Sequence, residues 1–290
     1  MAWLRFVLLA SMLLHGACAD WFLLFPRRAR YTPRAATRHL IAFEGGRLEA
    51  FSWPAPCPCA LHRGHRRRRR GRDRRCCAGR RAKPQLYLLE FTGNAGLAQY
   101  GSSFAPALWP LAVEVWRVNY PGFGNSSKPY GLRRIGPAAR AAFDALAQVA
   151  GSTPIVVAGN SMGCLAALHL AARRDVAGVV VANVPPLREL MLQRYGFIFA
   201  LPFALQVPLD IDAHINARRT RGAPALFFTA QRDRLVPPGF QREVFEDYRG
   251  PRRRIVVRGA GHNSRLYRDR HRFDSGVRWL VARLRSSARR

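Results

Sequence analysis

An apolar run, Pro154-Ile155-Val156-Val157-Ala158, reads directly into Gly159-Asn160-Ser161-Met162-Gly163, and a helix-like segment follows. Gly-x-Ser-x-Gly between a strand and a helix constrains the backbone severely. A chain that turns so sharply presses the residues beside the serine against neighbouring backbone. Glycine has no Cβ to collide, which accounts for Gly159 and Gly163. The pattern predicts a strand, a tight turn with Ser161 at its apex, and a helix starting just beyond. So short a pattern also arises by chance, so its meaning depends on two later segments.

The first is Pro224-Ala225-Leu226-Phe227-Phe228-Thr229-Ala230, an apolar run of buried-strand character that ends in a loop carrying Asp233, with Pro237 beyond it. The second is Arg254-Ile255-Val256-Val257-Arg258, followed by Gly259-Ala260-Gly261-His262. The order Ser161, Asp233, His262 places each candidate just past the C-terminal end of a strand. A serine hydroxyl is a weak nucleophile and needs a base, which a neutral imidazole supplies. The imidazole in turn needs a fixed tautomer and a partner for its transient charge, which a carboxylate supplies. Asp210 and Asp212 also lie between the serine and the histidine, but at the end of an insertion and not directly after a strand. His271 falls in a predicted helix, and His169, on the helix after Ser161, reads as a packed helix residue.

A tetrahedral intermediate at Ser161 would carry an oxyanion best held by backbone N–H groups. Met162 follows the serine at a predicted helix N-terminus, where the dipole favours negative charge. A second donor is expected from the loop Thr92-Gly93-Asn94-Ala95-Gly96, which follows the strand candidate Leu86 to Phe91. The Asn94 N–H is the first choice and that of Ala95 the next.

These motifs together resemble the α/β-hydrolases, in particular the single-domain esterase, thioesterase and monoacylglycerol-lipase-like branch. The likeness runs from Phe22 to the C-terminus. The family's oxyanion loop usually reads His-Gly-Asn-Ala-Gly, and Thr92 stands here in place of the histidine. Asn119-Tyr120-Pro121-Gly122-Phe123-Gly124 is similar to the family's glycine-rich turn after the next strand. The resemblance implies a serine hydrolase acting on acyl esters or thioesters through an acyl-enzyme, with no metal or organic cofactor. A peptidase or amidase would use the same constellation. Epoxide hydrolysis and dehalogenation are disfavoured, because those relatives carry aspartate at the elbow. A catalytically silent protein that binds anionic surfaces is the reading from another class.

Apolar strand-like runs alternate with helical patterns, which predicts an α/β fold: a mostly parallel twisted sheet with helices on both faces and a small helical cap. Strands are expected at Leu40 to Phe43, Arg47 to Trp53, Leu86 to Phe91, Val113 to Asn119, Pro154 to Gly159, Val176 to Asn183, Ala223 to Ala230 and Arg254 to Arg258. Helices are expected at Pro137 to Val149, Met162 to Arg173, Gly239 to Tyr248 and Arg270 to Leu284. One hydrolase domain is expected over 20–290, interrupted by an insert at 54–84 and a cap at 185–210. The cap begins with a helical apolar stripe (Leu187, Leu190, Met191, Tyr195). It continues almost wholly apolar from Phe197 to Val207, and it is expected to line an apolar pocket.

Residues 1–19 have the pattern of an export segment: one positive charge near Met1, an apolar core from Phe6 to Leu14, then Gly16-Ala17-Cys18-Ala19. Cleavage after Ala19 would release a soluble exported protein. Cleavage before Cys18 would leave a lipid-anchored one, in the manner of bacterial lipoproteins, and retention would leave a membrane anchor. The sequence leaves these open.

The net charge is +31, carried almost entirely by arginine. Its densest block, Arg66 to Arg75, lies in the 54–84 insert and suits anionic lipid headgroups. Nucleic acid is disfavoured as a partner, since no aromatic residue is interleaved for base stacking. Cys57, Cys59, Cys76 and Cys77 flank the block, but Cys-x-Cys and Cys-Cys do not match the usual zinc spacing. In an exported chain, disulfides closing the insert are the expected use. Cys164 reads as a small packed residue.

Overall fold

A computed structural model of the protein describes residues 18–29, 31–55, 83–102, 104–108 and 111–287. The export segment through Ala17 lies outside these residues, as do the Arg66–Arg75 block and Cys57, Cys59, Cys76 and Cys77.

Eight strands form one sheet: β1 (Thr37–Phe43), β2 (Gly46–Trp53), β3 (Leu86–Phe91), β4 (Val113–Val118), β5 (Ile155–Asn160), β6 (Gly178–Ala182), β7 (Ala225–Ala230) and β8 (Arg252–Val257). Their spatial order is β1-β2-β4-β3-β5-β6-β7-β8. Only β2 runs against its neighbours; every pairing from β4 through β8 is parallel. The mostly parallel sheet expected from the alternating pattern is therefore present.

The central strands are apolar at nearly every position because both faces of the sheet are covered. Successive side chains point to opposite faces, so each strand feeds two cores. Tyr87, Leu89 and Phe91 of β3, Val157 of β5 and Phe227 of β7 enter one core. Leu86, Leu88, Val156, Leu226 and Phe228 enter the other. Helix α1 is Cys18–Leu23, at the start of the described chain. Helix α2 (Ile135–Ala150) buries Ile135, Ala138, Ala139, Ala142 and Leu146, an apolar stripe at helical spacing, against the first core. Helix α3 (Gly163–Arg173) is buried from Gly163 through Ala171, because it packs on the sheet as well as on α2.

Beyond β6 come α4 (Leu187–Tyr195) and α5 (Phe197–Gln206), hinged at Gly196, and then the short α6 (Ala213–Arg218). Helix α7 (Pro238–Asp247) follows β7. Helix α8 (Arg270–Ser287) closes the second core with Phe273, Val277, Leu280, Val281 and Leu284.

Some elements differ from expectation. β1 starts at Thr37, three residues earlier than its apolar content suggests, because an edge strand needs few apolar residues. β8 begins at Arg252, although its first half is charged. There, Arg252 and Arg254 lie over the Phe245 ring at 5.3 and 5.7 Å, so their stems and guanidinium planes serve as packing surface. α1 and α6 are one to two turns long and leave no periodic signal. α6 is held by Asp212, which caps it by accepting from the Ile215 N–H at 2.9 Å.

Candidate active site

β5 runs into the serine turn as the sequence predicts. Ser161 sits at φ +52°, a left-handed conformation that a non-glycine residue adopts only when its surroundings hold it there. Two backbone bonds do so. The Ser161 N–H donates to the Ala182 carbonyl at the end of β6, and the Cys164 N–H donates to the Ser161 carbonyl, both at 2.9 Å. A Cβ at Gly159 would overlap the Gly163 carbonyl, and one at Gly163 would overlap that of Phe91. Cys164 fills the space behind the turn, fully buried, and its Sγ donates to Gly159 O and Ala182 O at 3.2 and 3.1 Å. Burial pushes its thiol far above the ordinary range, which suits a packing role.

Three loops bring Ser161, His262 and Asp233 together. His262 Nε2 is 3.0 Å from Ser161 Oγ, and His262 Nδ1 is 2.8 Å from Asp233 Oδ2. A carboxylate can only accept, so it holds the ring proton on Nδ1 and leaves Nε2 free to take one from the serine. The Asp233 side chain is fully buried. Its charge is met on every side: Oδ1 accepts the Leu235 and Val236 N–H groups, each at 2.9 Å, and Oδ2 accepts Gln241 Nε2 at 3.1 Å besides the imidazole. This arrangement can deprotonate a hydroxyl and stabilise the resulting imidazolium.

Asp210 and Asp212 stay apart from this chain of bonds. Asp212 caps α6, and Asp210 binds Arg173 at 2.9 Å. His169 is buried beside them, with Arg140 Nη1 2.7 Å from its Nε2 and the Asp210 carbonyl 2.8 Å from its Nδ1. Burial lowers its pKa to about 4, against the partial support of Asp210, so it packs as a neutral ring.

Two further residues hold the arrangement and carry no signal in the sequence. Asn183, at the end of β6 with φ +56°, donates through Nδ2 to the His262 carbonyl at 3.0 Å, and its Oδ1 accepts the Ala230 N–H at 3.1 Å. Gln241, in α7, bridges Asp233 Oδ2 and the Val236 carbonyl. Each is one amide among many along the chain, and only the loops' convergence gives it a partner in the site.

Asn94 and Met162 flank Ser161 in the wall of a cavity of about 1080 Å³. Met162 precedes the first turn of α3, so no intrahelical carbonyl is available to its N–H. The Ala95 N–H donates to Asn94 Oδ1 at 3.0 Å, so the second-choice donor is already engaged within the loop. The Asn94 side chain also donates to Leu23 O and accepts from the Phe25 N–H at 2.9 Å, clamping residues 23–25 against the site. The N-terminal stretch therefore forms part of the cavity wall, a contribution not anticipated from sequence. Thr92, which replaces the usual histidine, donates to Gly96 O at 3.2 Å and closes the loop on itself.

The cavity wall also includes Leu187, Leu190 and Met191 of α4, with Leu235 and Val236 from the Asp233 loop. The expected lining by the cap holds for α4 only. The longer apolar stretch, α5, contributes nothing to the cavity wall, and Phe197, Ile198 and Phe199 face outward instead.

The fold has counterparts among known proteins. A sequence profile described as the alpha/beta hydrolase family matches residues 95–220. Among solved structures, Est1E from Butyrivibrio proteoclasticus superposes with a TM-score of 0.61 over 85% of this chain and 98% of its own, at 13% identity. The chain has the α/β-hydrolase fold. An esterase from Pyrococcus furiosus gives a TM-score of 0.63 over 90% of this chain and 97% of its own, at 15% identity. A puromycin-hydrolyzing peptidase of Mycobacterium tuberculosis gives 0.58 at 19% identity, covering 88% of this chain and 40% of its own. An uncharacterised protein of Mycobacterium tuberculosis is 28% identical over 179 residues, 61% of this chain and 62% of that relative's length.

Proposed function

We propose that this α/β-hydrolase is a serine hydrolase that cleaves carboxylic esters or thioesters through an acyl-enzyme. The observation that carries the reading is the continuous hydrogen-bonded chain from Ser161 Oγ through His262 to the buried carboxylate of Asp233. In this reading Ser161 attacks the acyl carbon, and His262 takes its proton and passes it to the leaving group. Asp233 holds the tautomer and balances the imidazolium. The N–H groups of Asn94 and Met162 receive the oxyanion. Water, deprotonated by the same imidazole, then releases the acid. These side chains and backbone donors supply the acid, base, nucleophile and oxyanion contacts of both half-reactions.

The apolar wall of α4 supports acyl substrates over small polar ones, since burial of each methylene favours binding by about 0.8 kcal/mol. Labelling with a fluorophosphonate, which reacts with an activated serine, is expected for the native protein and absent in Ser161→Ala. A series of p-nitrophenyl esters is expected to show kcat/KM rising from acetyl to longer chains. A Ser161→Ala protein with undiminished esterase activity would refute the assignment. Export, through residues 1–19, places this activity outside the cytoplasm in the same proposal, and an intact Met1 on the mature soluble protein would count against it.

A further inference from the structure

α5 presents a continuous apolar surface to solvent. Phe197, Ile198 and Phe199 are 65%, 82% and 77% exposed, and Leu205 is 67% exposed. Isolated exposed apolar residues are ordinary, but a contiguous cluster of large ones marks a contact surface. This cluster adjoins the cavity mouth. Tyr195, just before the Gly196 hinge, both lines the cavity and is exposed, as are Phe25 and Leu235 from two other segments.

The same mouth carries positive charge. Arg27 and Arg194 line it and are exposed, and Arg28 follows in the chain. None of the three forms an ion pair among the described residues. Lastly, α1 joins the fold at α5: the Ala19 N–H donates to Gln206 Oε1 at 3.1 Å. In the sequence, the apolar run Phe6 to Leu14 precedes α1 by only a few residues.

We propose that the α5 face and the cavity mouth dock on an anionic lipid surface. Phe197, Ile198 and Phe199 enter the boundary between headgroups and acyl chains, while Arg27, Arg28 and Arg194 meet lipid phosphates. A second copy of the chain fits this surface poorly, because a net charge of +31 on each would face its like across a rim of unpaired guanidiniums. An anionic bilayer matches both the apolar centre and the basic rim. Docked in this way, the cavity opens toward the lipid, and an acyl chain passes from bilayer to pocket without crossing water. Docking of this kind does not depend on which bond the protein cleaves.

The test is co-sedimentation of the full chain with phosphatidylcholine vesicles, with and without a minority of phosphatidylglycerol. Wild type is expected to partition onto the mixed vesicles and less onto the neutral ones. The variant F197S/I198S/F199S is expected to lose about tenfold or more in partition coefficient, given the apolar area withdrawn from the bilayer. None of the three residues lines the cavity, so hydrolysis of soluble p-nitrophenyl butyrate is expected to be unchanged, which also reports folding. If the triple variant misfolds, Ile198→Asp tests the same face. Undiminished binding by a folded variant overturns the proposal and moves the membrane contact to the basic insert or the N-terminal segment. A wild-type dimer in solution that the variant dissolves overturns it in favour of a second copy. If the wild type hydrolyses no ester, the chemical reading fails while the partition measurement stands on its own.

Discussion

Asn183 Nδ2 donates to the backbone carbonyl of His262 at 3.0 Å, so the loop that carries the imidazole is bolted to the end of β6. The other side of the same amide accepts the Ala230 N–H, which fixes the strand end that leads to Asp233. One side chain therefore sets the spacing of two loops from β5, where Ser161 sits. Asn183 does not line the cavity and has no reason to affect substrate binding. Asn183→Ala is expected to lower kcat for p-nitrophenyl butyrate about tenfold or more, equivalent to roughly 1.4 kcal/mol of lost positioning, with little change in KM. A KM effect with unchanged kcat would contradict this role.

Asp233 accepts four hydrogen bonds with two oxygens, and an asparagine has one acceptor oxygen to offer. If that oxygen stays with the Leu235 and Val236 N–H groups, the amide NH₂ faces His262 and drives its proton to Nε2. The ring can then no longer accept from Ser161. Asp233→Asn is expected to cut kcat by about 10⁴-fold, as in triads generally, and to slow fluorophosphonate labelling in parallel. Thermal denaturation is expected to move down as well, because a buried donor is left opposed to donors.

The sheet and the three side chains of the candidate site are legible in the sequence because each rests on a local pattern. Buried parallel strands are continuous apolar runs, and the loops that follow them carry Ser161, Asp233 and His262 at strand ends. Asn183 and Gln241 are illegible for the opposite reason: their roles depend on where two distant loops arrive. α5 shows a different limit. Its composition is that of a core helix, so the sequence suggests that it turns inward. Composition cannot say which face finds a partner, and Phe197, Ile198 and Phe199 turn outward. The clamp of Asn94 on residues 23–25 joins positions about seventy residues apart, and no spacing rule anticipates it.

Gly163 tests the turn itself. A Cβ there would overlap the Phe91 carbonyl and crowd that of Thr92, and since these are backbone atoms nothing yields cheaply. Gly163→Ala is therefore expected to cost about 3 kcal/mol or more, at the upper end for overpacking in a filled core. The turn is shared by the β3 end and the serine, so stability and p-nitrophenyl butyrate turnover should fall together. A Gly163→Ala protein with native melting temperature and native rate would show that the turn has room that the structure denies.

His169 gives a pH dependence with a definite sign. Its Nδ1–H donates to the Asp210 carbonyl while Arg140 donates to Nε2, so a second ring proton would point at a guanidinium. Burial is the larger cause, and together they lower the pKa from its ordinary value of 6.5 to about 4. The unfolded chain thus takes up a proton at this ring below its ordinary value, and the folded chain refuses it until about pH 4. Stability from this residue is complete above the ordinary value and is lost as the pH falls through that window. Melting temperature measured against pH is expected to drop in this range for the native protein. His169→Asn should start lower near neutrality, for loss of the buried contacts, and fall less steeply. Two carboxylates with lowered pKa values contribute acid sensitivity to both proteins alike: Asp144, through its hydrogen bond from Arg174, and Asp247, where burial is outweighed by Arg218 and His214. The difference between the two curves therefore isolates the ring, and parallel curves would remove His169 from the account.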